Sequence, residues 1–320
     1  MAKRRASKTA KKARAAERPA PAPASAPERR PAPASAPRRR RPYWIALALV
    51  AVAAVVILTR MGADETTAQD SRADGARTPR AEVRPPEPER LRVRVVQRYP
   101  HDTAAFTQGL LWHDGFLYES TGLRGRSTLR RVRLESGEVV QRRELDPRLF
   151  AEGLALVGDR LIQLTWTEGQ AHVWSLDDFR HRRTFTYDGE GWGLCYDGHH
   201  LVMSDGSDRL TFRDPSTFRV IRRVPVRERG RPVRDLNELE CVDGSVWANV
   251  WQTDRIVRID ARTGHVTAVV DAAGLLTDEE RMQSDVLNGI AWIPERRRFL
   301  LTGKHWPYVF EVELDPDPMP

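Results

Sequence analysis

The chain has only two cysteines in 320 residues, Cys195 and Cys241, too few for a disulfide framework, and no CxxC pair to suggest a redox or zinc centre. It also lacks GxSxG, HExxH and any phosphate-cradling glycine loop, which sets aside the α/β-hydrolase, zincin and nucleotide-binding readings. Acids are scarce at the start: residues 1–41 hold fourteen Lys or Arg against Glu17 and Glu28, a net charge of +12. The whole chain carries +8, so everything after residue 41 is mildly acidic. The high pI therefore describes a tail and gives no reason to expect nucleic-acid binding by a globular domain.

That tail repeats PAPASAP at Pro21 to Pro27 and Pro31 to Pro37. Pro/Ala- and Arg-rich sequence has no apolar face to bury, which predicts a disordered basic segment over 1–41 beside anionic lipid. Long apolar runs are absent except one, Tyr43 to Leu58, entered from Arg38 to Arg41. With its flanks it predicts a single transmembrane signal-anchor helix over 42–60. Basic flanks stay cytoplasmic, so the rest of the chain is expected on the periplasmic or extracytoplasmic side of the inner membrane. A cleaved signal peptide is the competing reading; Leu58 to Asp64 offers no small-x-small cleavage site, which favours the anchor. Residues 61–90 end in Pro85-Pro86-Glu87-Pro88 and read as a linker.

Self-similarity dominates the remainder. Gln108-Gly-Leu, Glu152-Gly-Leu, Trp192-Gly-Leu, Asn237-Glu-Leu and Asn288-Gly-Ile share one pattern. Their spacing is close to the length of a four-stranded propeller blade. Each unit continues with a Gly- or Asp-bearing turn and a second strand such as RLIQLTW or SVWANVW. Third strands alternate apolar and polar, as in RIVRID from Arg255 and YVFEVEL from Tyr308. The fifth unit runs out of chain after its third strand, whereas Leu91 to Gln97 is a strand without a sheet. The two defects cancel if the N-terminal strand completes the last blade. The expected fold is thus all-β, a five-bladed β-propeller over 91–316, preferred to a β-sandwich that would leave the matched segments unexplained. Cys195 and Cys241 stand at matching positions, CYDG and CVDG, and are expected as two buried thiols rather than a bridge.

First strands line a propeller's channel, so Gln108, Glu152, Trp192, Asn237 and Asn288 should converge near one mouth. Trp166 and Trp251 stand at equivalent places beyond Glu152 and Asn237. Taken singly, such residues are more often packing than function. Together they predict an aromatic pocket with amides and one carboxylate, suited to a small polar ligand with methylenes. His199-His200 follows a turn and reads as exposed rather than metal-binding.

The segments AFTQGL, FAEGLALVGDRLIQLTW, GEGWGLCYDG, LNELECVDGSVWANVWQTDRIVRID and LNGIAW resemble the signatures of the five-bladed glutaminyl-peptide cyclotransferases of plants and bacteria, over nearly all of 95–315. The resemblance implies conversion of N-terminal glutamine of peptides or proteins to pyroglutamate with release of ammonia. It implies Glu152 as catalytic acid/base, with Phe106, Gln108, Trp166, Trp192, Asn237, Trp251 and Lys304 binding the substrate. Lys304 is the least direct transfer, because the fifth unit is spaced differently. The chemistry needs no cofactor and no catalytic metal, although the channel leaves room for a structural divalent cation. Two rival classes remain: a metal-dependent, lactonase-like propeller hydrolase, and a non-catalytic periplasmic binding propeller.

Overall fold

The computed structural model describes residues 87–317. The expected tail over 1–41, the apolar segment over 42–60 and nearly all of the linker over 61–90 lie outside the described residues. Among the described residues no helix is long and apolar enough to cross a membrane.

The first strand, β1 (Glu89–Pro100), precedes the repeats. Then come three antiparallel four-stranded sheets in which neighbours in sequence are neighbours in space. They are β2 (Thr107–His113), β3 (Phe116–Thr121), β4 (Thr128–Arg133) and β5 (Glu138–Glu144); β6 (Ala151–Val157), β7 (Arg160–Thr165), β8 (Gln170–Ser175) and β9 (His181–Thr186); and β10 (Leu194–Tyr196), β11 (Leu201–Met203), β12 (Arg209–Arg213) and β13 (Val220–Pro225). A small hairpin, β14 (Arg227–Glu228) and β15 (Arg231–Pro232), comes after them. Next are β16 (Leu236–Val242), β17 (Ser245–Val250), β18 (Arg255–Asp260) and β19 (Val266–Asp271), the one-turn helix α1 (Asp278–Met282), and β20 (Leu287–Ile293), β21 (Arg298–Gly303) and β22 (Tyr308–Pro316).

β1 joins the two ends of this series. It pairs antiparallel with β22 from Leu91 to Pro100, and its first residues, Glu89 to Arg92, run parallel to β19. The last two groups of strands therefore form one continuous sheet in the order β16-β17-β18-β19-β1-β22-β21-β20. A strand rich in Arg and Val has the right character for this place: its outward side chains stay wet, while Leu91 is buried.

Burial falls from the first strand of each group to the last. β6 is buried at nearly every position, whereas β9 is almost wholly exposed, and the last strands β5, β9 and β13 are correspondingly arginine-rich, while β19 (VTAVVD) buries every other residue. Hydrophobic clusters fill the gaps between sequence-adjacent groups, as where Leu154 and Leu161 meet Leu111 and Leu129. The series closes on itself, because Leu110 and Leu117 of the first group pack on Ile293 and Leu300 of the last.

The first strands approach so closely that side chains are excluded at one position. A Cβ on Gly109 would lie 2.6 Å from the Leu154 nitrogen, and one on Gly153 2.5 Å from the Leu194 nitrogen. This is why Gly comes directly after the leading residue of four repeats. In the fourth, Glu238 takes that place and is fully buried; it accepts hydrogen bonds from the Leu110 and Ile290 nitrogens, tying β16 to β2 and β20.

The cysteine expectation is corrected. Cys195 on β10 and Cys241 on β16 form a disulfide across a Cα–Cα distance of 5.5 Å. Matching positions in consecutive repeats are the reason: the first strands of adjacent groups lie side by side, so equal register brings the two thiols together.

Candidate active site

Four first strands carry the same irregularity. Their pairing with the second strand shifts register between Thr107 and Gly109, Ala151 and Leu154, Leu236 and Leu239, and Leu287 and Ile290. The shift falls on Gln108, Glu152, Asn237 and Asn288, the leading residues of their repeats. A bulge of this kind breaks strict alternation and re-aims a side chain that would otherwise lie between sheets. Second strands contribute where they end: the residues after Trp251 and Lys304, Gln252 and His305, have left-handed backbone with φ of 61° and 62°, so the chain reverses immediately beyond both side chains.

One cavity of about 260 Å³ gathers the expected residues: Phe106, Gln108, Glu152, Trp166, Trp192, Asn237, Trp251 and Lys304 line it, with Phe150 as a ninth. Phe150 was missed in the sequence, although it precedes Glu152 by the same step that separates Phe106 from Gln108. Asn288 does not line the cavity. It stands behind Gln108, donating to Gln108 Oε1 at 3.0 Å, while Gln108 Nε2 donates to Glu152 Oε1 at 2.7 Å. Gln108 thus holds the carboxyl in one orientation. A larger cleft of about 560 Å³ lies among Glu228, Arg231 and Arg255, but none of its charged side chains is buried, so it supplies no shielded acid or base.

The walls are aromatic. Phe106 meets Phe150 edge-on at 6.0 Å, Phe150 meets Trp166 at 5.6 Å, and Trp192 meets Trp251 at 5.5 Å. Edge-to-face contacts fix ring planes as well as positions. Trp166 and Trp192 each donate their indole N–H to Glu190 Oε2, at 2.7 and 2.9 Å.

Glu152 is only 4% exposed and is the one acid that lines the cavity. Burial pushes its carboxyl well above the usual carboxylate range; the Lys304 ammonium opposes this, Glu190 and Glu168 add to it, and the bond from Gln108 opposes it. Lys304 is itself buried, which lowers its pKa, with Glu152 and Asp285 acting the other way. Its ammonium sits over the Phe106 ring at 4.7 Å from the centroid. Asn237 lines the cavity and is buried, and its Oδ1 has no hydrogen-bond partner.

Other acids noted in the sequence serve elsewhere. Burial disfavours a charge on Glu119, yet His101 at 3.0 Å and Arg130 hold its carboxyl below the ordinary value. Glu238 and Glu240 are occupied by backbone N–H groups, and burial pushes Glu240 up to about 8. None of the three lines the cavity. Among the described residues no three His, Cys, Asp or Glu side chains gather as a metal-ligating group.

Residues 64–314 match the family model described as "Glutamine cyclotransferase". The chain belongs to the glutamine cyclotransferase family. It is 42% identical to a glutaminyl-peptide cyclotransferase of Arabidopsis thaliana over 228 residues, covering 69% of this chain and 71% of the plant protein. A crystal structure of Myxococcus xanthus glutaminyl cyclase is 47% identical, with a TM-score of 0.66 over 72% of this chain and 100% of the other. In this member of the family a buried acid, Glu152, and a buried cation, Lys304, line one cavity of about 260 Å³.

Proposed function

We propose that this chain converts the N-terminal glutamine of peptides or proteins to pyroglutamate, releasing ammonia, with Glu152 as the single acid/base. The observation that carries the assignment is the buried Glu152 carboxyl, which alone among acids lines the aromatic cavity. In the reaction the α-amine nitrogen attacks the side-chain amide carbon, a ring C–N bond forms, and the bond from that carbon to the amide nitrogen breaks. One proton must leave the amine and one must reach the departing nitrogen. A carboxyl that burial holds well above its ordinary range is a stronger base than a free carboxylate and can act as an acid once protonated, so it can take the first proton and return the second.

The neighbours divide the remaining work. Gln108 orients the carboxyl, and the Asn237 side-chain amide adds a polar contact to the cavity wall. Lys304 supplies positive charge as the amide oxygen becomes anionic. Phe106, Phe150, Trp166, Trp192 and Trp251 grip the methylenes and keep water from hydrolysing the amide to glutamate. Both reacting groups belong to one molecule, so folding the side chain into a near-attack shape is a large contribution in itself.

The scaffold is proposed as a five-bladed propeller over 91–316, closed by β1; the cyclic packing of five strand groups supports it. Residues 42–60 are proposed as an uncleaved anchor that leaves 1–41 cytoplasmic and the catalytic domain, beyond the linker at 61–90, periplasmic. The apolar run and its four preceding arginines support this.

Ammonia release from a Gln-initiated peptide, coupled to a Glu152→Gln variant, tests the chemistry. The variant should fold, retain substrate affinity and lose about 10²-fold or more in kcat, the scale of a positioned acid/base. A folded Glu152→Gln enzyme working near the wild-type rate would refute the role.

A further inference from the structure

The cavity has two separate aromatic runs, Phe106–Phe150–Trp166 on one side and Trp192–Trp251 on the other. One oxygen bridges them. Glu190 Oε2 accepts from both indoles, one at the end of β7 and one just before β10. An exposed glutamate ordinarily samples many rotamers, and holding it in one costs entropy. Here the backbone around it is pinned on both sides: Gly191 N donates to Trp166 O at 2.9 Å, Trp192 N to Ser204 O at 3.1 Å, and Tyr187 N to Gly169 O at 2.9 Å. The carboxylate is thus delivered to a point where two charge-assisted hydrogen bonds form at once.

We propose that Glu190 is a positioning residue for the cyclisation: it locks the two tryptophan walls at their meeting point and places a negative charge at the mouth above Glu152. The proposal rests on the cyclotransferase reading of the cavity. Its two parts separate chemically, because the clamp needs an oxygen acceptor whereas the electrostatic effect needs a charge. The charged and titratable groups facing Glu152 are Lys304 beyond β21, Glu168 after β7, and Tyr187 and Glu190 before β10; Asp285 faces Lys304. Of these, Lys304 favours the ionised Glu152, and Glu190 and Glu168 disfavour it. Loss of the Glu190 charge should therefore make Glu152 more acidic.

Two variants of the full chain are compared with wild type on a Gln-initiated peptide. Glu190→Gln keeps an acceptor oxygen for both indoles, so KM should stay within about twofold, while the acidic limb of kcat/KM moves to lower pH by roughly 0.2–0.7 unit. Glu190→Ala loses clamp and charge together: the limb should move likewise and KM should rise about tenfold. Thermal melts and tryptophan emission accompany both, with emission expected to change in Glu190→Ala and not in Glu190→Gln. An Ala variant with wild-type KM and pH profile would overturn the proposal, as would a Gln variant that matches Ala in KM and emission without moving the limb. If wild type itself fails to release ammonia, the cyclotransferase reading fails instead, and the emission difference still reads the clamp.

Discussion

At the residue scale the site rests on opposed charges in a shielded space. Lys304 and Glu152 both line the cavity, and each is disfavoured as an ion by its own burial. Lys304 nevertheless lowers the Glu152 pKa, so its removal should raise it. Lys304→Met should therefore move the acidic limb of kcat/KM to higher pH, opposite to the Glu190 variants, and slow turnover at neutral pH. A limb that stays in place or moves down would show that the ammonium does not govern Glu152. The sequence made this group legible because polar leading residues recur at one repeat position, where packing alone would ask for none. Phe150 escaped notice because its partner signal, Phe106, is also a common core residue. Asn288 was legible as a member of the set but not as the support behind Gln108; only side-chain geometry separates a residue that faces the cavity from one that holds its neighbour.

At the element scale, strand positions came from apolar runs, turns and alternation, and the expected RIVRID and YVFEVEL strands are β18 and the start of β22. The insertions were not legible. α1 lies between β19 and β20, and the β14–β15 hairpin between β13 and β16, which accounts for the longer spacing of the later repeats. α1 is a single capped turn with no buried residue, and such an element leaves no hydrophobic period to find. β1 is the element with most at stake, because it shields the edges of both β22 and β19. A chain beginning at residue 87 should melt cooperatively. One beginning at residue 101 should expose the β22 edge, lose roughly 10 °C or more in Tm, and aggregate as exposed edges do. Equal melting of the two by calorimetry would show that the closing strand is dispensable.

At the scale of the whole molecule, composition divides the chain into a strongly basic start, one apolar run and a mildly acidic remainder. This division is the basis of the proposed anchor over 42–60. The full-length protein should stay with membranes in high salt and dissolve only in detergent; a soluble mature chain beginning near residue 63 would replace the proposed anchor by a signal peptide. The sequence determined the all-β class and the order of the repeated strands, because repeat period and residue type survive in one dimension, and with the family resemblance it named eight of the nine residues that line the cavity. Tertiary structure decided what depends on distance between repeats. It brought Cys195 to Cys241, set Glu238 across the channel, and joined Trp166 to Trp192 through Glu190. Those contacts arise from closing the strand groups into a ring, and ring closure sets side by side residues that no spacing along the chain could pair.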